Sequence, residues 1–179
     1  MIIPGFIVAW LTFPGVIVHE SAHLLFCRVF GLTVLDVCFF RFATTGATGY
    51  VVHEHTERFW ATFFVACGPF LVNSLLCFVI CFSIFLPIRF FGVEHWAYYA
   101  IGWLGLSIGM HAFPSNQDAR TVWAQAKEQI KSGNYAAVLV FPVVALVYVG
   151  NVLSIVWADL FYALGVGLAL PELVMRAIL

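Results

Sequence analysis

Long stretches of this 179-residue chain carry hardly any charge, and this constrains its fold more than any other feature. Hydrophobic residues make up 63% of the sequence and charged residues 9%, whereas a soluble domain has about a quarter charged residues. One small core could not cover that much apolar surface. The composition therefore predicts an integral membrane protein, in which lipid replaces water around the apolar side chains.

Four apolar segments are long enough to cross the hydrocarbon core of a bilayer, which takes about 20 helical residues. We expect an all-α, multi-pass membrane protein with about four transmembrane helices, forming a single domain over residues 1–179. Whether the apolar stretch 159–179 spans again, lies in the interface or mediates self-association is left open by its glycines and proline. The four predicted spans are residues 2–30, 59–88, 96–113 and 135–157.

Residues 32–57 interrupt the helical pattern. The stretch 32–40 is rich in β-branched and aromatic residues, 44–49 has turn chemistry, and 50–53 is again typical of a strand. This pattern predicts a small β-hairpin, which must lie at the interface or over the helices because unpaired backbone cannot face lipid. Its free edge, at Tyr50, Val51 and Val52, could bind a substrate peptide as an added strand. A plain connecting loop is the alternative.

A metal-binding pattern lies in the second half of the first apolar segment, at His19, Glu20 and His23. Histidines four residues apart lie on one helix face, so their ring nitrogens can converge on one zinc ion. Glu20 could then take a proton from water at the open coordination position. Two packed or hydrogen-bonded histidines are the alternative, but ionisable groups in so apolar a segment are costly unless they are functional.

A catalytic zinc ion needs a third protein ligand, and the chain offers several donors. His111 ends the third apolar segment, and it could instead orient a ligand from outside the coordination sphere, as could Asn116. Asp118 gives a short anionic donor just beyond Pro114, although it could also simply be the cap or first-turn acid of the amphipathic stretch 119–132. The candidates are His53, Glu54, His55, His111 and Asp118.

The second apolar segment contains Gly68, Pro69 and Asn73. A Gly-Pro pair kinks a membrane helix and frees backbone groups, which is tolerated where the irregularity faces protein or a cavity. We expect Gly68 and Pro69 to line a substrate cavity at the depth of the histidines. Asn73 could help to polarise a substrate carbonyl, or it could form a hydrogen bond between helices.

The distribution of cations predicts the orientation. The connections 28–58 and 114–134 carry six lysines and arginines and the opposite side carries two, which places both connections in the cytoplasm. This assignment brings the zinc motif, the Gly-Pro pair and Asp118 toward the cytoplasmic face, within the membrane boundary. A net charge of −1 with scattered cations argues against nucleic-acid binding.

Taken together, the motif in the first membrane helix, Gly68-Pro69 followed by Asn73, and an aspartate at the border of a later helix resemble the site-2 proteases, a family of intramembrane zinc metalloproteases. The resemblance covers roughly residues 15–120, and 135–179 would be additional helices. By this resemblance His19, His23 and Asp118 bind zinc and Glu20 activates water. The chain departs from the family in the Pro-Ser-Asn-Gln setting of Asp118 and in one extra residue between Pro69 and Asn73.

The resemblance implies an enzyme that hydrolyses peptide bonds of membrane-embedded or membrane-proximal proteins. Its partners would be the lipid bilayer and a membrane-protein substrate bound in extended form, because a helical substrate must unwind before its peptide bond can be attacked. Two alternatives remain: a zinc-binding membrane scaffold without protease activity, and a membrane zinc hydrolase with a non-peptide substrate.

Overall fold

The computed structural model describes residues 4–92 and 95–178, apart from the side chain of Phe90. The described residues are mostly helical, as predicted. Short 3₁₀ turns at Tyr135–Val140 and Ser154–Val156 and a π-helical turn at Gly165–Ala169 join the later helices. The α-helices are α1 (Gly5–Leu11), α2 (Phe13–Val29), α3 (Phe59–Phe91), α4 (Trp96–Met110), α5 (Asn116–Lys131), α6 (Phe141–Leu153), α7 (Ala158–Leu164) and α8 (Leu170–Ile178); the strands are β1 (Val34–Cys38) and β2 (Tyr50–His53).

Three helical stretches in the described residues are long and apolar enough to cross a membrane, and a bent pair of helices makes a possible fourth. Most of the side chains of these stretches lie on the surface. On α3, for example, Leu71, Leu75 and Val79 form an exposed apolar row at four-residue spacing. Such a row suits contact with lipid and is compatible with a multi-pass membrane protein. The three stretches are Phe59–Arg89, Tyr135–Val156 and Ala158–Ile178.

The spans differ in detail from the sequence prediction. The third predicted span is wrong in length, because α4 has only 15 residues and at 1.5 Å per residue is about 22 Å long. In contrast, the stretch after Trp157, whose crossing the sequence left open, is long enough to span. The predicted count of about four therefore has a different composition.

The first apolar segment is not one straight helix. Helices α1 and α2 meet at Thr12 at an angle of 88°. Pro14 lies in the first turn of α2, where its missing N–H is harmless, whereas an unbroken helix would set its ring against the preceding turn. The bend lets α2 pack tightly on α4: a β-carbon at Gly15 would lie 2.0 Å from the carbonyl oxygen of Ser107.

The predicted hairpin is confirmed. Strands β1 and β2 pair antiparallel, with Val34 opposite His53 and Cys38 opposite Tyr50, and the register shifts between Val34 and Asp36. Within the described residues β2 pairs with β1 alone, so its other edge carries unpaired backbone groups.

Helix α3 is the centre of the bundle and runs unbroken through Gly68 and Pro69. Gly68 packs against the ring of Phe26 on α2, where a β-carbon would lie 2.1 Å from a ring carbon. Pro69 is fully buried. Neither residue lines the cavities at the zinc motif that are described below. The pair allows two helices to approach closely, and its predicted contact with substrate stays a prediction.

The amphipathic helix α5 packs its apolar side, including Val122 and Ala126, against α3 and α6. The side-chain amide of Gln125 donates to the carbonyl of Thr56 at 2.7 Å. The connections 28–58 and 114–134 therefore touch, and they lie on the same side of the bundle. This agrees with the common side that the cation count gave them.

Candidate metal centre

Hydrogen bonds to backbone carbonyls fix both motif histidines on α2. His19 Nδ1 lies 2.6 Å from the carbonyl oxygen of His111, and His23 Nδ1 lies 2.8 Å from that of Val65. A carbonyl only accepts, so both Nδ1 atoms carry the proton and both Nε2 atoms keep a free lone pair. This is the tautomer that a metal-binding histidine needs, held by the kind of outer contact common around metal ligands.

The free donor atoms converge. The Nε2 atoms of His19 and His23 lie 3.1 Å apart, and Oδ2 of Asp118 lies 3.7 Å from His23 Nε2. One ligand atom from each of the three residues falls within 4.8 Å of the others. Two lone pairs and a carboxylate facing one another repel unless a cation lies between them. Donors around a tetrahedral zinc ion are roughly 3.4 Å apart, so this donor set fits zinc.

Asp118 belongs to the cluster and caps α5 as well. Its Oδ2 accepts from the backbone N–H of Ser115 at 2.8 Å and from the Ser115 hydroxyl at 2.6 Å, while Ser115 Oγ accepts from the Asp118 N–H. The two interpretations of Asp118 are thus compatible. The cap holds the carboxylate against the start of α5, at the point where that helix reaches His23.

Glu20 is 8% exposed and lies between His19 and the turn that follows β1. A β-carbon at Gly49 would lie 2.7 Å from Cγ of Glu20 and 2.9 Å from the carbonyl oxygen of Phe39. Arg41 holds this turn: its backbone N–H donates to Thr48 and its Nε to Ala47. The backbone around Gly49 therefore covers the carboxylate closely, and only a residue without a side chain fits there.

Two cavities meet at Glu20 and His19. One, of about 560 Å³, extends past α1 and the end of α4 to Asn151, Ser154 and Asp159. The other, of about 620 Å³, reaches His23, Asp118 and strand β2. Both are bounded by the turn 46–49 and by Ser115. Glu20 thus faces space on two sides of the turn.

Strand β2 lines the second cavity. Tyr50 and Val51 contact it, whereas Val52 is 44% exposed and does not. The Tyr50 hydroxyl donates to Asp36 at 2.9 Å, and this hydrogen bond raises the pKa of Tyr50. The hairpin is therefore beside the cluster, where two of its three predicted substrate-binding residues face the same space as Glu20.

His111 and Asn116 lie next to the cluster without joining it. His111 contributes its carbonyl oxygen to His19, while its side chain points to Thr12, with Nε2 2.8 Å from the threonine hydroxyl. Asn116 lines the second cavity and accepts from the Asn151 amide at 3.1 Å. The expectation that His111 orients a ligand agrees with this arrangement, but the orienting atom belongs to the backbone.

Asn73 does not face either cavity. It is completely buried, and its amide nitrogen donates to the carbonyls of His111 and Ile108 at 3.0 and 3.1 Å and lies 3.4 Å from that of Gly15. This geometry matches the alternative that the sequence left open for Asn73, a hydrogen bond between helices. It joins α2, α3 and the end of α4, the three elements that position His19.

Replacing Asn73 should therefore destabilise the fold. We expect Asn73→Ala to lower the free energy of unfolding by about 1–3 kcal/mol, because it leaves buried carbonyls without a donor. Thermal or denaturant unfolding in detergent measures this, and Ser83→Ala, at an exposed hydroxyl on the same helix, is the control. Unchanged stability combined with lost peptide cleavage would return Asn73 to the substrate-contacting role.

A methyl group at Gly49 should disturb Glu20 directly. We expect Gly49→Ala to cost about 1–3 kcal/mol of stability through overpacking and to reduce any Glu20-dependent turnover while bound metal is retained. Gly165→Ala is a matched control, since a β-carbon there would meet nothing within 4 Å. Normal turnover in Gly49→Ala would show that the turn does not position the carboxylate.

Reasoning from the sequence missed several residues of this site. The carbonyls of Val65 and His111 and the close approach of Gly49 are backbone features with no signature in the sequence. Ser115 did have one, because Ser-x-x-Asp before a helix is a capping box.

Comparison of the whole chain with protein-family models, with curated proteins and with solved structures finds no match.

Proposed function

We propose that this protein is an intramembrane zinc metalloprotease that hydrolyses peptide bonds of membrane-embedded or membrane-proximal proteins, as its resemblance to the site-2 proteases implies. One observation carries the proposal: two histidines with free Nε2 atoms, an aspartate and a buried glutamate meet beside an open strand edge. The histidines and Asp118 would hold the ion. Zinc, when bound, would supply a Lewis acid that activates water and polarises the scissile carbonyl.

The residues of the chain divide the remaining work. Glu20 accepts a proton from the attacking water and then donates it to the nitrogen of the departing amine as the C–N bond breaks. His111 and Val65 hold the histidine rings through their carbonyls, and Ser115 holds Asp118. Burial of Glu20 under Gly49 limits the entry of bulk water to the carboxylate.

The strand edge supplies the second part of the proposal. A peptide bond is attacked in an extended chain, so a substrate that enters as a helix must unwind. The unpaired edge of β2 can hold the unwound segment by backbone hydrogen bonds, with Tyr50 and Val51 at the cavity wall. Val51→Pro removes one of the donors of the strand and should weaken cleavage, whereas Val52→Thr, outside the cavity wall, should not.

The cluster would lie within the membrane boundary, near the cytoplasmic face. Its position at the end of the bundle that carries the connections 28–58 and 114–134 supports this, since those connections hold six of the eight cations.

We expect a membrane-impermeant maleimide to label Lys127→Cys only when it is applied from the cytoplasmic side. Lys127 is exposed on α5. The unsubstituted chain, with its five native cysteines, gives the background. Labelling from outside intact cells would reverse the orientation.

The activity is tested with purified protein in detergent or nanodiscs and a mixture of membrane-spanning and membrane-proximal peptides. We expect cleavage that a zinc chelator abolishes and that added zinc restores. Zinc binding with no hydrolysis of any peptide would favour a scaffold, or a hydrolase of another substrate class. To separate these two, products can be compared between membranes that contain the unsubstituted protein and membranes that contain Glu20→Gln, since lost hydrolysis of a lipid or other compound would identify the hydrolase.

A further inference from the structure

The cavity that leads away from β2 has an acidic far end. Among its described lining residues the only carboxylates are Glu20 and Asp159, and none is a lysine or arginine. Asp159 is partly buried, and one of its oxygens accepts from the backbone N–H of Leu160 at 3.0 Å. No lysine, arginine or histidine of the described part of the chain lies within ion-pair distance of it.

The polar neighbours of Asp159 present acceptors to this space. The amide nitrogen of Asn151 donates to the Pro114 carbonyl and to Asn116 Oδ1, both at 3.1 Å, so its two hydrogens are used and Oδ1 remains. The Ser154 hydroxyl donates to the carbonyl of Gly150 at 3.1 Å, which leaves its lone pairs. A carboxylate surrounded by acceptors suits a ligand that carries several N–H donors and a positive charge.

The backbone reaches this arrangement through an unusual turn. Trp157 has φ +67°, and it is the only residue other than glycine with positive φ in the described ranges. A left-handed conformation at a bulky residue is strained, and such residues cluster at functional sites. Here the turn separates the 3₁₀ segment after α6 from α7 and sets Asp159 at the cavity wall, two residues later.

We propose that Asp159, with Asn151 and Ser154, forms a subsite that binds a lysine or arginine side chain of the substrate. The inference rests on the proposed protease function and names its substrate class. The subsite lies on the side of Glu20 opposite to β2, so one flank of the peptide pairs with the strand while the cationic side chain of the other flank enters this cavity. Cleavage is thereby directed to one side of a basic residue.

The test uses peptides that the protein cleaves, with Lys, Arg, Gln or Glu placed in turn at each position flanking the scissile bond. We expect one position at which Lys or Arg raises kcat/KM about 10- to 100-fold over Gln, the range of a charge-assisted hydrogen bond. Asp159→Asn should remove that preference and leave the Gln peptide within about threefold of its former value, because asparagine keeps the acceptor for Leu160. Asp159→Glu should restore part of the preference, and Glu128→Gln, an exposed carboxylate on α5, should keep all of it.

Several results would overturn the inference. Equal cleavage of Lys and Gln peptides by the unsubstituted protein at every position would do so whether or not the variants fold. An equal loss for both peptides in Asp159→Asn would show a purely structural residue. If no peptide is cleaved at all, the protease proposal fails, and equilibrium binding of labelled Lys and Gln peptides decides the subsite separately: tighter binding of the Lys peptide that disappears in Asp159→Asn supports it, and equal binding removes it.

Discussion

Glu20→Gln should lose about 10²- to 10⁴-fold of any peptide hydrolysis while it retains bound zinc, since this is the usual contribution of a general acid-base group. The carboxylate lies beside the cluster, and the three donors that converge are His19, His23 and Asp118. Glutamine has almost the same shape, so the covering turn at Gly49 has no cause to move.

Both halves of this expectation can be measured on one preparation. Elemental analysis gives zinc per chain, and cleavage of the peptide found for the unsubstituted protein gives turnover. Glu128→Gln, on the exposed surface of α5, controls for the loss of a carboxylate. Turnover at the normal rate in Glu20→Gln would exclude the mechanism, and loss of zinc together with turnover would make Glu20 a ligand.

The second large effect concerns the third ligand. Asp118→Ala should weaken zinc binding by at least 10- to 100-fold, which is the loss typical for residues that only support a ligand. His111→Ala should keep zinc, because the hydrogen bond to His19 comes from the His111 carbonyl and survives the substitution. Competition with a chelator of known affinity measures both.

A matched variant separates the two contributions of Asp118. Ser115→Ala removes the side-chain half of the cap, a change that typically costs about 1 kcal/mol of helix stability, while it leaves the carboxylate in place. We expect near-normal zinc binding in that variant. Full zinc occupancy in Asp118→Ala with loss in His111→Ala would transfer the role to His111 and require its side chain to leave Thr12.

The sequence alone determined the features that depend on local chemistry. Sparse charge over long apolar runs predicted the helices, β-branched residues around a glycine-containing turn predicted the hairpin, and the four-residue spacing of His19 and His23 placed both rings on one face. Each of these follows from a period or composition within one segment. The amphipathic pattern of α5 belongs to the same class.

Tertiary structure decided everything that depends on which surfaces meet. Gly68 and Pro69 resemble a kink in the sequence, yet α3 passes through them unbroken, because Phe26 fills the notch that Gly68 leaves. Asn73 resembles a polar residue aimed at substrate, yet three helices bury it completely. A side chain's partners across the bundle leave no local period to detect.

The same reason explains the site. Four of the groups that orient its donors belong to distant segments: the carbonyls of Val65 and His111, the Ser115 cap and the backbone at Gly49. The far end of the cavity, at Asp159, comes from a left-handed turn at Trp157 that no sequence pattern marks. Residue types fixed which donors the chain owns, and helix packing decided which of them face one another, since backbone carbonyls and close contacts acquire direction only when the helices are assembled.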